Sequence, residues 1–88
     1  MIFFVYMLGS KVKNKTISYV GYTNNLKNRL NLHNTSKGAK FTRGRKWKLI
    51  YYELYHTRSE AMKNEYKLKK NYILRNKIKN ENFNFTTI

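Results

Sequence analysis

Three polar side chains fall where a helical wheel, turning roughly 100° per residue, would place apolar contacts. Between Asn25 and Asn34, Leu26 and Leu30 mark an apolar side and Leu32 its other margin, and Arg29 and His33 project inside that arc, one turn apart. Farther along, Ala61, Leu68 and Tyr72 form a stripe at i, i+7 and i+11, and Glu65 fills its i+4 place. Burying an unpaired charge on such a stripe costs on the order of several kcal/mol, so Arg29 and Glu65 each need a partner. Two arrangements meet that need. In one, Arg29 and Glu65 form a structural ion pair, or the stripes rotate and both heads reach water. In the other they line a cleft, with Glu65 holding a divalent metal and Arg29 a phosphate. For His33 alone, a satisfied boundary histidine is the plainer expectation, and an acid–base group or ligand the alternative.

The elements that must position these groups are legible in outline. Ile2 to Leu8 is aromatic and β-branched and reads as a strand, and Thr16 to Gly21 alternates polar and apolar and reads as a second. Gly9 to Lys15 is the expected hairpin connection. Thr23 and Asn24 offer N-cap side chains to a helix from about Asn25 to Asn34. Thr35 to Lys46 is a basic loop without an acid. Trp47 to Tyr55 predicts a third, well-buried strand. Thr57-Arg58-Ser59-Glu60 fits a capping box, opening a long helix from about Ser59 to Lys70 that breaks or continues through Tyr72 to Lys79. The segment from Glu81 to Ile88 is polar-aromatic without clear period and is expected to fray.

Composition bounds the chemistry. The 88 residues carry 19 Lys and Arg against 4 Asp and Glu, a formal charge of +15, which predicts one small domain with a polyanionic partner. An apolar fraction of 41% suffices for a core, so the basic excess does not mark a disordered tail. The absence of Cys excludes a disulfide scaffold, a thiolate nucleophile and a Cys-ligated zinc. No apolar run is long enough to span a bilayer and the start lacks the pattern of a signal peptide, so a cytoplasmic protein without a membrane partner is expected. The four acids are Glu53, Glu60, Glu65 and Glu81, and residues 1–52 have no carboxylate side chain. A two-metal site of the multi-carboxylate kind is hard to build from that inventory.

Tyr19-Val20-Gly21 is followed ten residues after Tyr19 by Arg29, and four further on by His33. Gly38-Ala39-Lys40-Phe41-Thr42-Arg43-Gly44-Arg45 and Ser59-Glu60-Ala61 with Glu65 then come in order. In these blocks, over residues 2–80, the chain resembles the GIY-YIG nuclease superfamily, and most closely its small single-domain UvrC/URI-like endonuclease branch. The first motif stands here as Phe4-Val5-Tyr6, so Tyr6 is carried over and the small residue two places before it is not. Tyr6 and Tyr19 are 13 residues apart, which predicts a somewhat longer hairpin than is usual. Tyr22 occupies a place where some relatives bear Lys or Ser.

The resemblance implies an α+β fold, a small three-stranded and largely antiparallel sheet flanked by helices, in one domain over residues 1–80 with an 81–88 tail. It also implies a catalytic set of Tyr6, Tyr19, Arg29, His33 and Glu65, with Glu65 as the ligand of one Mg²⁺ or Mn²⁺. In that scheme Arg29 binds a phosphodiester oxygen and the metal stabilises the leaving 3′ oxygen. Tyr19 orients or deprotonates the attacking water, Tyr6 holds the network, and His33 contacts the phosphate or assists proton transfer. A phenol of ordinary pKa near 10 needs help to act as a base.

The basic loop supplies Lys37, Lys40, Arg43, Arg45, Lys46 and Lys48, with Phe41 and Trp47 interleaved, as the expected nucleic-acid-binding surface. Such contacts carry affinity without base information. Gly44, between Arg43 and Arg45, is expected to let the backbone approach a phosphate. Two functions follow from different classes: a metal-dependent endonuclease acting on DNA, with RNA also open as a partner and targeting supplied by another protein, or a non-catalytic nucleic-acid-binding module associated with RNA or the ribosome. A passive binder needs basic residues and has no use for an acid in an apolar stripe.

Overall fold

The fold is built around its first strand. In the computed structural model, which describes residues 1–82, β1 (Phe3–Val12) pairs antiparallel with β2 (Lys15–Thr23) on one side and β3 (Lys48–Tyr55) on the other, giving the sheet order β2-β1-β3. Central β1 is covered on both faces, and its unbroken apolar run is the pattern such a strand requires. Phe3, Val5 and Met7 face one cluster with Val20, Ala61, Leu68 and Ile78. Tyr6 and Leu8 face the other with Trp47, Leu26, Leu30 and Leu49.

The first cluster is closed by α2 (Arg58–Lys70) and α3 (Tyr72–Asn82), and the second by α1 (Leu26–Asn34) together with the basic loop. This is the α+β architecture, a three-stranded antiparallel sheet with three helices. No helix among the described residues is long and apolar enough to cross a membrane.

Several expected boundaries move. The strands of the hairpin run on past Gly9 to a two-residue turn at Lys13 and Asn14, with Val12 opposite Lys15 and Lys13 at φ 57. The hairpin is long in its strands, of 10 and 9 residues, and the expected Gly9–Lys15 connection shrinks to this turn. Asn25, rather than Thr23 or Asn24, caps α1: its side chain accepts the Asn28 N–H, while Thr23 Oγ accepts that of Asn25. The Thr57 cap holds, its hydroxyl accepting the Glu60 N–H and donating to the Glu60 carboxylate, which caps no backbone amide directly.

β3 is not well buried. As an edge strand it leaves Tyr52, Glu53 and Leu54 exposed, because only one side of it is paired. The helix that follows breaks at Asn71, whose side chain accepts the Leu74 N–H and starts α3. The break turns Tyr72 out of the apolar stripe to 66% exposure. Glu81 and Asn82 belong to α3 rather than to a frayed tail, and the remainder of the expected tail, residues 83–88, lies outside the described residues.

Candidate active site

Register decides which side chains share the α1 face. Tyr6 pairs with Gly21 and Leu8 with Tyr19, so Tyr6 and Tyr19 are diagonal neighbours on one face, their ring centroids 6.5 Å apart. Opposite Tyr6 there is no room for a side chain: a Cβ on Gly21 would lie 2.5 Å from the Tyr6 hydroxyl. The glycine that ends the Tyr-Val-Gly block is therefore the floor on which the phenol lies.

From α1, His33 is fully buried between the sheet and the loop. Its Nε2 lies 2.9 Å from the Tyr6 hydroxyl and its Nδ1 2.8 Å from the Thr42 hydroxyl. Tyr19 packs on the imidazole with centroids 5.0 Å apart. Gly38 fits against the same ring, since a Cβ there would lie 2.5 Å from Nδ1. The histidine's ordinary pKa of 6.5 is lowered, first by burial and then by the charge of Arg29.

Arg29, one turn back on α1, lies beside the Tyr6 and Tyr19 phenols, which hold its charge more firmly. Burial pushes the Tyr6 phenol up to about 12, against the pull of Arg29 and with help from the negative fields of Tyr19 and Glu65. Tyr6 is thus a proton donor at neutral pH. Tyr19 is half-buried, its other face stacked on Phe41 at 6.2 Å.

Four of the five expected residues, Tyr6, Tyr19, Arg29 and His33, are in direct contact. Glu65 is not. It stands on α2, its side chain 20% exposed, and reaches the group through its field at Tyr6. Its ion pair is with Lys69, one turn on at 3.7 Å; among the described residues there is no Arg29–Glu65 pair, so the structural ion pair considered from the sequence is not formed. His33 has both nitrogens engaged and no exposed surface, which leaves it no atom for direct phosphate contact.

The basic loop is more built than its composition suggested. A single 3₁₀ turn, Lys40–Thr42, leaves Lys40 and Phe41 exposed and turns Thr42 inward. Lys37, Arg43, Arg45 and Lys46 are also exposed, with the Arg45 guanidinium 5.3 Å above the Phe41 ring. Trp47 belongs to the core instead of the binding surface: it is buried, and its indole N–H donates to the Thr42 carbonyl at 2.9 Å. Lys48 pairs with Gly9, which by strand alternation puts it on the face opposite Tyr6 and Leu8. At Gly44 open space surrounds the missing Cβ, and the residue's φ of 76 is what calls for glycine, with its N–H donating to Ser36 Oγ.

Thr42, Gly38 and Asn34 were not singled out from the sequence as parts of the site. Asn34 ties α1 to the loop's end by accepting the Trp47 N–H at 2.6 Å and donating to the Trp47 carbonyl at 3.1 Å. Gly38 and Thr42 both lie in the recognised Gly38–Arg45 block, but nothing in the sequence distinguishes Thr42 from its basic neighbours.

The model of the GIY-YIG catalytic domain matches residues 2–82. This chain belongs to the GIY-YIG family. Similar proteins include a UPF0213 protein of Clostridium perfringens, 46% identical over 76% of this chain and 70% of that one, and one of Staphylococcus haemolyticus, 42% identical over 75% and 78%. A UPF0213 protein of Oceanobacillus iheyensis is 52% identical over 58% of this chain, which spans 60% of that relative's length. A solution NMR structure of a UPF0213 protein from Bacillus halodurans is similar at 37% identity, covering 78% of this chain and 71% of that one, with a TM-score of 0.43. In this small GIY-YIG domain, Tyr6, Tyr19, Arg29 and His33 lie together on one face of the sheet.

Proposed function

We propose that this chain is a divalent-metal-dependent endonuclease that hydrolyses DNA phosphodiester bonds by in-line attack of water, with one metal ion on Glu65. The observation that carries the proposal is the convergence of Tyr6, Tyr19, Arg29 and His33 on one face, with a lone carboxylate in electrostatic reach. A passive binder has no need of a buried phenol–imidazole pair beneath an arginine.

The scarcity of donors favours a reading with one ion over one with two. Among the described residues no group of three His, Cys, Asp or Glu is placed to hold a metal. Glu65 offers one partly exposed carboxylate, held only at 3.7 Å by Lys69. Mg²⁺ commonly keeps several waters and takes one or two carboxylates together with substrate phosphate, so a single glutamate suffices as its protein ligand. When bound, the ion supplies charge stabilisation at the phosphate and the departing 3′ oxygen.

The protein's own groups supply the rest. Arg29 binds a non-bridging phosphate oxygen while its contacts with the two phenols hold its position. Tyr19, half-buried beside Arg29, orients the attacking water. Tyr6 keeps its proton, donates it in a hydrogen bond to His33 and turns its oxygen's free lone pairs toward Arg29 and the cleft, and His33 positions it from beneath. Lys37, Lys40, Arg43, Arg45 and Lys46 track the backbone, which directs selectivity toward DNA shape, such as branched or damaged structures met in repair and recombination.

The test is incubation of the purified protein with plasmid, single-stranded, flap and branched DNA, and with RNA, in Mg²⁺, Mn²⁺ or chelator, beside Arg29→Ala. Metal-dependent cleavage of DNA that Arg29→Ala loses is expected. Cleavage that persists in chelator contradicts the metal role, and binding without any cleavage favours the non-catalytic module.

A further inference from the structure

The hydrogen bonds under Tyr6 have only one consistent direction. Thr42 Oγ lies 2.8 Å from the Ala39 carbonyl, which can only accept, so the single hydroxyl proton of Thr42 is spent there. Toward His33 that oxygen can therefore only accept, and Nδ1, at 2.8 Å, must carry the ring's proton. A neutral imidazole then has a bare Nε2, which accepts from the Tyr6 hydroxyl at 2.9 Å. With its proton committed inward, the Tyr6 oxygen offers only lone pairs outward, toward the charge of Arg29.

Resting on the nuclease reading above, we propose that Thr42 is a positioning residue that fixes the His33 tautomer and thereby makes Tyr6 a hydrogen-bond acceptor toward the cleft. The reverse tautomer would drive the Tyr6 proton outward, where it would compete with Arg29 and with the water to be oriented. Thr42 acts from the substrate-binding loop itself: on the same 3₁₀ turn, Lys40 points to solvent and Thr42 is fully buried. A phosphate held by Lys40 or Arg43 therefore steadies the group that sets the polarity of Tyr6. Gly38 contributes by leaving the ring space to meet Thr42, its absent Cβ being 2.5 Å from Nδ1.

The test compares wild type, Thr42→Ser and Thr42→Val by ¹⁵N spectra of the histidine side chains, DNA affinity, and cleavage under saturating substrate with metal. His33 is assigned by comparison with His33→Gln. Wild type and Thr42→Ser should show protonated Nδ1 and bare Nε2, and should cleave at similar rates. Thr42→Val should shift His33 toward the opposite tautomer and lower kcat by about 10- to 100-fold, the usual scale for a group that orients a functional imidazole, with DNA affinity little changed. An unchanged tautomer in Thr42→Val overturns the proposal, as does loss of function in Thr42→Ser equal to that in Thr42→Val. If wild type fails to cleave any substrate, the nuclease reading falls, and the ¹⁵N spectra still decide whether Thr42 sets the tautomer.

Discussion

At Gly21 and Gly38 a single added methyl group probes the site's packing. In each case the Cβ would fall 2.5 Å from a buried polar atom, the Tyr6 hydroxyl or His33 Nδ1, whose ring is held by hydrogen bonds and cannot swing away. Overpacking of this kind costs about 1–3 kcal/mol, so Gly21→Ala and Gly38→Ala should each lower unfolding stability by that amount in urea titrations. Both should reduce cleavage more than DNA binding.

His33 ties stability to acid. Its folded pKa lies below 6.5 because burial and Arg29 disfavour the imidazolium, so over the window from about 6.5 downward the unfolded chain binds the proton more readily. The contribution is complete above that window and is lost as pH falls through it. Thermal melts across this range should show that loss, and His33→Gln should flatten it. Tyr6 gives the complementary effect: its folded value of about 12 exceeds the ordinary 10, so its contribution is full below pH 10 and is lost as pH rises toward the folded value.

Arg29 and His33 were legible in the sequence because a helical period exposes polar residues inside an apolar arc. Their partners were not. Whether Arg29 met Glu65 or Tyr6 depended on strand register, and whether His33 faced a phosphate or Thr42 depended on how a loop nine residues away folded over it.

Among the elements, the loop is the one whose character changed most between sequence and structure. Its charge was plain from Lys37 to Lys46, but Trp47 looked like part of a binding surface until the fold placed it in the core. An exposed loop is recognised by composition, and the aromatic residue that pins it is recognised only by what it touches. Asn34 holds that pin by two hydrogen bonds to the Trp47 backbone. Asn34→Ala leaves those backbone groups without their partner and should cost about 1–3 kcal/mol, read by chemical denaturation and by faster amide exchange over the loop. β3 misled for a related reason: aromatic and aliphatic density marks a strand well, but does not say whether it lies at the centre or the edge of the sheet. The helix break at Asn71 likewise left a continuous stripe on paper and an exposed Tyr72 in the fold.

For the molecule as a whole, +15 on 88 residues would make the proposed association with DNA an electrostatic process. The logarithm of affinity should fall linearly with the logarithm of salt concentration, and each lost phosphate contact should reduce the slope by about 0.9 on duplex DNA. Lys40→Gln with Arg43→Gln should therefore flatten the dependence by up to about two contacts, while leaving the Tyr6–His33 pair intact. A variant at Lys48, on the opposite face, should change the slope less. Charge alone is silent on catalysis, and the scarcity of acid says more. Glu53 is exposed on the edge strand, Glu60 accepts from the Thr57 hydroxyl that caps α2 and Glu81 lies on α3, leaving Glu65 as the acid whose field reaches Tyr6. Cleavage and binding by Glu65→Gln, assayed side by side on the same DNA with Mg²⁺, bear most directly on its role. Loss of cleavage with DNA affinity retained is the predicted result, and undiminished cleavage would remove Glu65 as the metal's ligand.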